Sequence, residues 1–221
     1  MQVQAVLFDL DGTLLDTLED LGRAANRVLE SRGFKPHDVN VYRYFIGDGV
    51  KMLVTRALPK EQRNEAVINA CVAEFREDYG RNSMVKTKPY RGIPELLDKL
   101  GARKLKLAIL SNKPHDLTGR IVAELLPDWN FSAVLGQRDN IPRKPDPFGA
   151  LEIAGLLRIP PAAFLYVGDS AVDMKTAIAA GMFPVGVLWG FRPMRELQKN
   201  GAKALSERPE DIMRIIDDTS F

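Results

Sequence analysis

From Pro89 onward the chain alternates between two periodicities, and that alternation constrains its fold more than any other feature. Four short apolar runs, "LKLAILSN" (Leu105–Asn112), "FSAVLG" (131–136), "AFLYVGDS" (Ala163–Ser170) and "PVGVLWG" (184–190), read as strands. Segments with helical spacing accompany them, at Ile93–Leu100, Asp116–Leu126, Pro147–Leu157 and Ala171–Ala180. A strand that is apolar on both faces must be covered on both sides, and a helix between successive strands lets them run parallel. Near the N-terminus, "VQAVLFDLDGTLLDT" begins with a run of the same kind, Val3–Leu10.

Between that first strand and the alternating region the pattern is helical. Asp16 with Glu19 three residues later reads as a capping box. Leu18, Leu21, Ala25, Val28 and Leu29 follow at helical spacing up to Gly33. Val39–Ile46 and Val50–Leu58 are shorter helix candidates on either side of Gly47-Asp48-Gly49. Glu61–Tyr79 is a longer one, with Val67, Cys71 and Phe75 on one stripe, and nothing between Asp16 and Ser83 reads as a strand. The expected architecture is an α/β core with a doubly wound, Rossmann-like parallel sheet (residues 1–15 and 84–221), into which an all-helical domain (16–83) is inserted.

Composition removes several classes of function. With 221 residues, 45% of them hydrophobic, the chain can bury one good core and a smaller second one. A net charge of +2 without a long basic run gives no indication of nucleic-acid binding. The single cysteine excludes an internal disulfide, and no Cys/His cluster suggests zinc. No run is long enough to span a membrane, and Val3–Leu10 is too short, and too acidic at Asp9, for a signal segment. The expectation is a cytoplasmic protein, a monomer or homodimer, whose partner is a small molecule.

Three of the strands end in polar residues: Asp9-x-Asp11, Ser111-Asn112, and Gly168-Asp169 with Asp173 beyond. Open parallel sheets bind ligands outside the carboxyl ends of their strands, so these residues would meet at one edge. Two carboxylates as near as Asp9 and Asp11 repel and cost desolvation, which a bound cation would offset. A fourth segment, "RKPDP", places Lys144 in a proline-rich loop before a helix. Each feature has an ordinary reading on its own: solvated acids at a strand end, a surface lysine, Asp169 as a helix N-cap, Asp173 on a helix surface, His37 and His115 at the surface. Their order along the chain favours a common site.

Taken together, "DLDGTLLDT", "SNK", "KPDP" and "GDSAVD" resemble the four motifs of the haloacid dehalogenase superfamily. The helical insert, "FIGDGVKMLVTRAL" and "SNKP" resemble its phosphoglycolate phosphatase-like branch. The resemblance implies Asp9 as nucleophile, forming an aspartyl-phosphate, and Asp11 as proton donor and then base. It implies Ser111, Asn112 and Lys144 as phosphate-binding residues. Mg²⁺ would be held by Asp9, Asp169 and the Asp11 carbonyl, with Asp173 orienting the metal and its waters. The substrate would be a small phosphorylated metabolite, 2-phosphoglycolate first. The insert would close over the site; a carboxylated substrate asks for a cation from it, and Arg43, Lys51 and Arg56 surround the turn Gly47–Gly49, which would present backbone N–H groups to substrate, although each cation alone also reads as part of a solvated helix face. A phosphosugar mutase, a phosphatase of another metabolite, and a non-catalytic metabolite-binding module are the alternatives. The chemistry asks for the same residue types: a dianionic phosphate repels an anionic nucleophile, so cations and hydroxyl donors must surround it.

Overall fold

The computed structural model describes residues 2–218. In chain order the elements are β1 (Ala5–Phe8), β2 (Leu15–Asp16), α1 (Leu18–Ser31), α2 (Val50–Ala57), α3 (Glu65–Asn82), β3 (Lys88–Pro89), α4 (Ile93–Ala102), β4 (Lys106–Pro114), α5 (His115–Leu125), β5 (Phe131–Gln137), α6 (Phe148–Leu157), β6 (Phe164–Gly168), α7 (Ala171–Ala179), β7 (Phe183–Val187), α8 (Met194–Lys199), β8 (Ala204–Ser206) and α9 (Asp211–Asp218). The chain divides into two units: residues up to Leu15 together with those from Pro89 on, and residues Asp16–Lys88.

The first unit is built on a six-stranded sheet in the order β5-β4-β1-β6-β7-β8. All five strand pairings are parallel. The α/β doubly wound core expected from the alternating pattern is therefore present. β1 lies at the point where the winding reverses, with Leu7 level with Ala108 on β4 and with Tyr166 on β6. Its sequence AVLF is wholly buried. Ala5 and Leu7 pack with Phe164 and Tyr166 against Ala150, Ile153 and Ala154 of α6 and Ala177 of α7. The alternate residues Val6 and Phe8 are equally inaccessible, so both faces of the sheet are covered.

The second unit is helical apart from its two ends. Arg27 of α1 and Arg32, the residue just after it, pair with Asp78 and Glu74 of α3, and Phe75 stacks on Tyr79 at 5.4 Å. Asn26 accepts hydrogen bonds from the His37 amide (2.9 Å) and the Tyr42 hydroxyl (2.7 Å). The buried Asp20 carboxylate accepts from the Lys86 amide (2.9 Å), the Thr87 amide (2.8 Å) and the Thr87 hydroxyl (2.8 Å).

Several local expectations need correction. The N-cap of α1 is Thr17, whose side chain makes no capping bond. Asp16 lies on β2, and its Oδ1 accepts the Leu18 amide at 3.3 Å. Val39–Tyr44 is a 3₁₀ helix opened by the Asp38 side chain. The third helix starts at Glu65, where Asn64 caps it, rather than at Glu61. His37 and His115 are half-buried rather than on the surface. The His37 ring nitrogen Nε2 lies 2.7 Å from the Ala57 carbonyl, and His115 Nδ1 accepts the Gly136 amide at 3.2 Å.

Candidate active site

The site residues of the first unit converge at the carboxyl ends of β1, β4 and β6. Hydrogen bonding between β1 and β6 continues one residue past β1, where the Asp9 amide donates to the Val167 carbonyl at 2.9 Å. The chain then turns: the amides of Thr13, Leu14 and Leu15 all donate to the Leu10 carbonyl. Gly12 adopts φ +86°, and a Cβ there would lie 2.3 Å from Asp169 Oδ2. Only glycine meets both demands, the left-handed backbone and the close approach.

Lys144 is the centre of the charge arrangement. Its buried ammonium donates to Asp9 Oδ1 (2.7 Å), Asp173 Oδ1 (2.8 Å) and the Leu110 carbonyl (2.9 Å). The Asn112 side-chain amide holds the Lys144 carbonyl at 3.0 Å, which ties the end of β4 to the lysine loop. The Ser111 hydroxyl, 4% exposed with its residue, accepts the Lys113 amide at 3.2 Å.

Asp169 was open to reading as a helix N-cap, but that place belongs to Ser170. Ser170 forms a capping box with Asp173: Asp173 Oδ2 accepts the Ser170 amide (3.1 Å) and hydroxyl (2.6 Å). Asp173 is completely buried rather than on the helix surface. Its two oxygens serve Lys144 and the cap, and this fixes its orientation. Asp169 Oδ2 accepts the Phe191 amide at 2.7 Å.

One carboxylate oxygen from each of Asp9, Asp169 and Asp173 can be taken so that all lie within 4.8 Å of one another. Three buried acids thus face one buried ammonium. Burial is the largest influence on Asp9 and raises its carboxyl to about 7; Asp173 adds to the rise, and Lys144 opposes it. Burial, then Asp173 and Asp9, push Asp169 well above the usual carboxylate range, against the pull of the Phe191 amide. Burial disfavours the Lys144 ammonium, yet Asp173 and Asp9 outweigh it and hold the amine well above an ordinary lysine. Excess buried negative charge on hard oxygen donors fits a divalent cation of the Mg²⁺ type.

The structure adds groups that sequence reasoning did not single out. Lys113 forms an ion pair with Asp11, Nζ to Oδ1 at 2.7 Å. It was legible in principle, since two-residue alternation puts it on the same side of the strand as Ser111. Tyr166 places its hydroxyl 3.5 Å from Asp173 Oδ1. The segment after β7 is the third addition. The Trp189 indole donates to the Thr13 carbonyl at 2.9 Å. A Cβ on Gly190 would lie 2.3 Å from Asp169 Cβ and 2.4 Å from the Gly12 carbonyl. No periodicity marks such a segment, because its contacts are made by backbone.

The residues expected to choose a substrate lie in the second unit. Gly47 and Gly49 both have positive φ. Arg56 donates to the Phe45 carbonyl (3.0 Å) and to Asp48 (2.5 Å), and Lys51 lies 3.4 Å from Glu65. Arg43 lies on the 3₁₀ helix.

Among the described residues, no helix is long and apolar enough to cross a membrane. The chain is 31% identical to the phosphoglycolate phosphatase of Aquifex aeolicus over 215 residues, spanning 97% of each protein. It is 37% identical to that of Neisseria meningitidis serogroup A over 205 residues, 90% of this chain and 86% of the relative. A crystal structure of a protein from Lactobacillus delbrueckii subsp. bulgaricus superposes with a TM-score of 0.92 at 32% identity, covering 98% of this chain and 99% of that one. The model of the haloacid dehalogenase-like hydrolases matches residues 6–187. With the match running from β1 through β7, the chain belongs to the haloacid dehalogenase-like hydrolase family.

Proposed function

We propose that the protein is a Mg²⁺-dependent phosphatase that hydrolyses a small phosphate monoester, 2-phosphoglycolate, through an aspartyl-phosphate on Asp9. The observation that carries this reading is the buried Asp9 carboxylate at the end of the switch-point strand, 2.7 Å from Lys144 and clustered with Asp169. The names of the relatives support the choice of substrate.

In this reading Asp9 and Asp169 hold Mg²⁺ with the Asp11 carbonyl, and Asp173 fixes Lys144 and the metal's waters. When bound, the ion neutralises phosphate charge. Asp9 attacks phosphorus while Asp11 passes a proton to the departing ester oxygen, so an alcohol leaves and an acyl phosphate remains on Asp9. Asp11 then takes a proton from water, which attacks the acyl phosphate and releases inorganic phosphate. Ser111, Asn112 and Lys144 bind the phosphoryl oxygens throughout, with Lys144 stabilising charge as it moves. In the helical unit, Arg43, Lys51 and Arg56 around the Gly47–Gly49 turn select the carboxylated substrate.

The test is phosphate release from a panel of phosphorylated metabolites. Release from 2-phosphoglycolate that stops with chelator and returns with Mg²⁺ is expected. Full activity in excess chelator, or transfer between sugar positions without release, would overturn the reading. Rapid quench with an activated aryl phosphate locates the nucleophile: Asp11→Asn should release a burst of phenol and trap phosphate on the enzyme, whereas Asp9→Asn should do neither.

A further inference from the structure

Lys113 has no part in that mechanism, yet its pairing with Asp11 is closely built. The Lys113 side chain is 4% exposed and that of Asp11 13%. The backbone of Lys113 is held on both sides: its amide donates to Ser111 Oγ at 3.2 Å, and its carbonyl accepts the Thr118 hydroxyl at 3.3 Å. The neighbouring β5 comes so near that a Cβ on Gly136 would lie 2.6 Å from that carbonyl. A lysine is seldom this buried, because removing an ammonium from water is costly unless an anion meets it. The anion it meets is the acid assigned to proton transfer.

We propose that Lys113 is a positioning residue for Asp11. It takes Oδ1, fixes the carboxylate plane, and leaves Oδ2 to exchange a proton first with the departing ester oxygen and then with water. The inference rests on the phosphatase reading. Its physical basis is that Asp11 stands next to Gly12 on a turn and has two rotatable side-chain bonds. A 2.7 Å ion pair in a nearly dry setting, where charge is little screened, favours one orientation of the carboxylate from the several available. Proton transfer needs heavy atoms about 2.6–3.2 Å apart, so a misplaced oxygen is a poor donor. The site then assigns one ammonium to each acid of the first motif: Lys144 to Asp9 and Lys113 to Asp11.

Lys113→Met keeps the stem and removes the charge. With Mg²⁺, the single-turnover rate of Asp9 phosphorylation should fall by at least about tenfold more with 2-phosphoglycolate than with p-nitrophenyl phosphate, whose phenolate needs no proton, while hydrolysis of the aspartyl-phosphate slows equally after either ester. The dissociation constants of both esters from single-turnover titration, and Mg²⁺ affinity by calorimetry, should stay within about twofold, because Asp11 reaches the ion through its carbonyl. Lys113→Arg, which keeps the charge but displaces the donors, should show the same pattern more weakly, and it carries the test should the methionine variant fail to fold. Equal losses of the phosphorylation rate on both esters, weaker binding with unchanged rates, or unchanged rates throughout would each overturn the inference while leaving the phosphatase reading intact. Absence of phosphate release by the unsubstituted chain would overturn both.

Discussion

Lys144 serves three oxygen acceptors at once, and two of them are carboxylates whose ion-pair partner among the described residues is this lysine. Lys144→Ala should therefore do more than slow the chemistry. Turnover should fall by about a hundredfold or more, as when other fixed electrostatic donors are removed. Asp9 and Asp173 would be left buried without a counter-charge, so the melting temperature should also fall, by the equivalent of about 3–5 kcal/mol. A variant with wild-type rate and stability would remove Lys144 from the centre of the site. The acids give a prediction with a definite sign. Asp9 rises from 3.8 to about 7 on folding. Between those values the native chain binds more protons than the unfolded one, so metal-free stability falls as pH rises through that window. Mg²⁺ competes with those protons. Its effect on the melting temperature should grow from about pH 5.5 to about pH 8. A pH-independent shift would show that the ion does not replace protons on these acids.

At the scale of elements, the strands were legible and the segments that lock their ends together were not. β1, β4, β6 and β7 stand out because burial on both faces leaves runs such as AVLF and FLYVG with no polar position. Asp9, Asp11, Ser111, Asn112 and Asp169 could be picked out because polar residues end those runs, and Lys144 because "RKPDP" sets it in a proline-rich loop before a helix. Ser170 directly follows Asp169, and two adjacent residues that can both cap a helix are not told apart by sequence. α8 and β8 were missed because a six-residue helix and a three-residue strand hold too few residues to show a period. Trp189 and Gly190 read as the end of a strand, and the role of the Trp189–Phe191 segment depends on distances that no pattern encodes. That role predicts that Gly190→Ala, whose new methyl must displace either Asp169 or the Gly12 carbonyl, will weaken Mg²⁺ binding by about tenfold or more, as loss of supporting contacts around metal ligands does. Trp189→Phe, which deletes one hydrogen bond, should cost only about 1 kcal/mol of stability. Calorimetric Mg²⁺ titration and thermal unfolding of the two variants would check this, and unchanged affinity in Gly190→Ala would sink it.

At the scale of the whole molecule, chemistry and selection are expected to separate between the two units. Ala variants at Arg43, Lys51 or Arg56 that remove a carboxylate contact should lose kcat/KM on 2-phosphoglycolate by about tenfold, the usual worth of a charged hydrogen bond. They should keep their rate on p-nitrophenyl phosphate. Parallel losses on both esters would point to folding of the helical unit instead, which is a real prospect for Arg56, given its bonds to Phe45 and Asp48. The helical unit also carries a clasp at its neck. Asp20 joins the start of the excursion to Lys86 and Thr87, 66 and 67 positions later. Closing a loop of that length in a flexible chain costs about 4 kcal/mol of entropy. Three donors on one buried carboxylate offset much of that cost, so the excursion begins and ends at a single stitched point. Residues 16–88 are in that sense a cassette. A swap with the matching segment of a relative should preserve folding when an acid travels with it at the Asp20 position, and should yield a frayed, protease-sensitive neck when it does not.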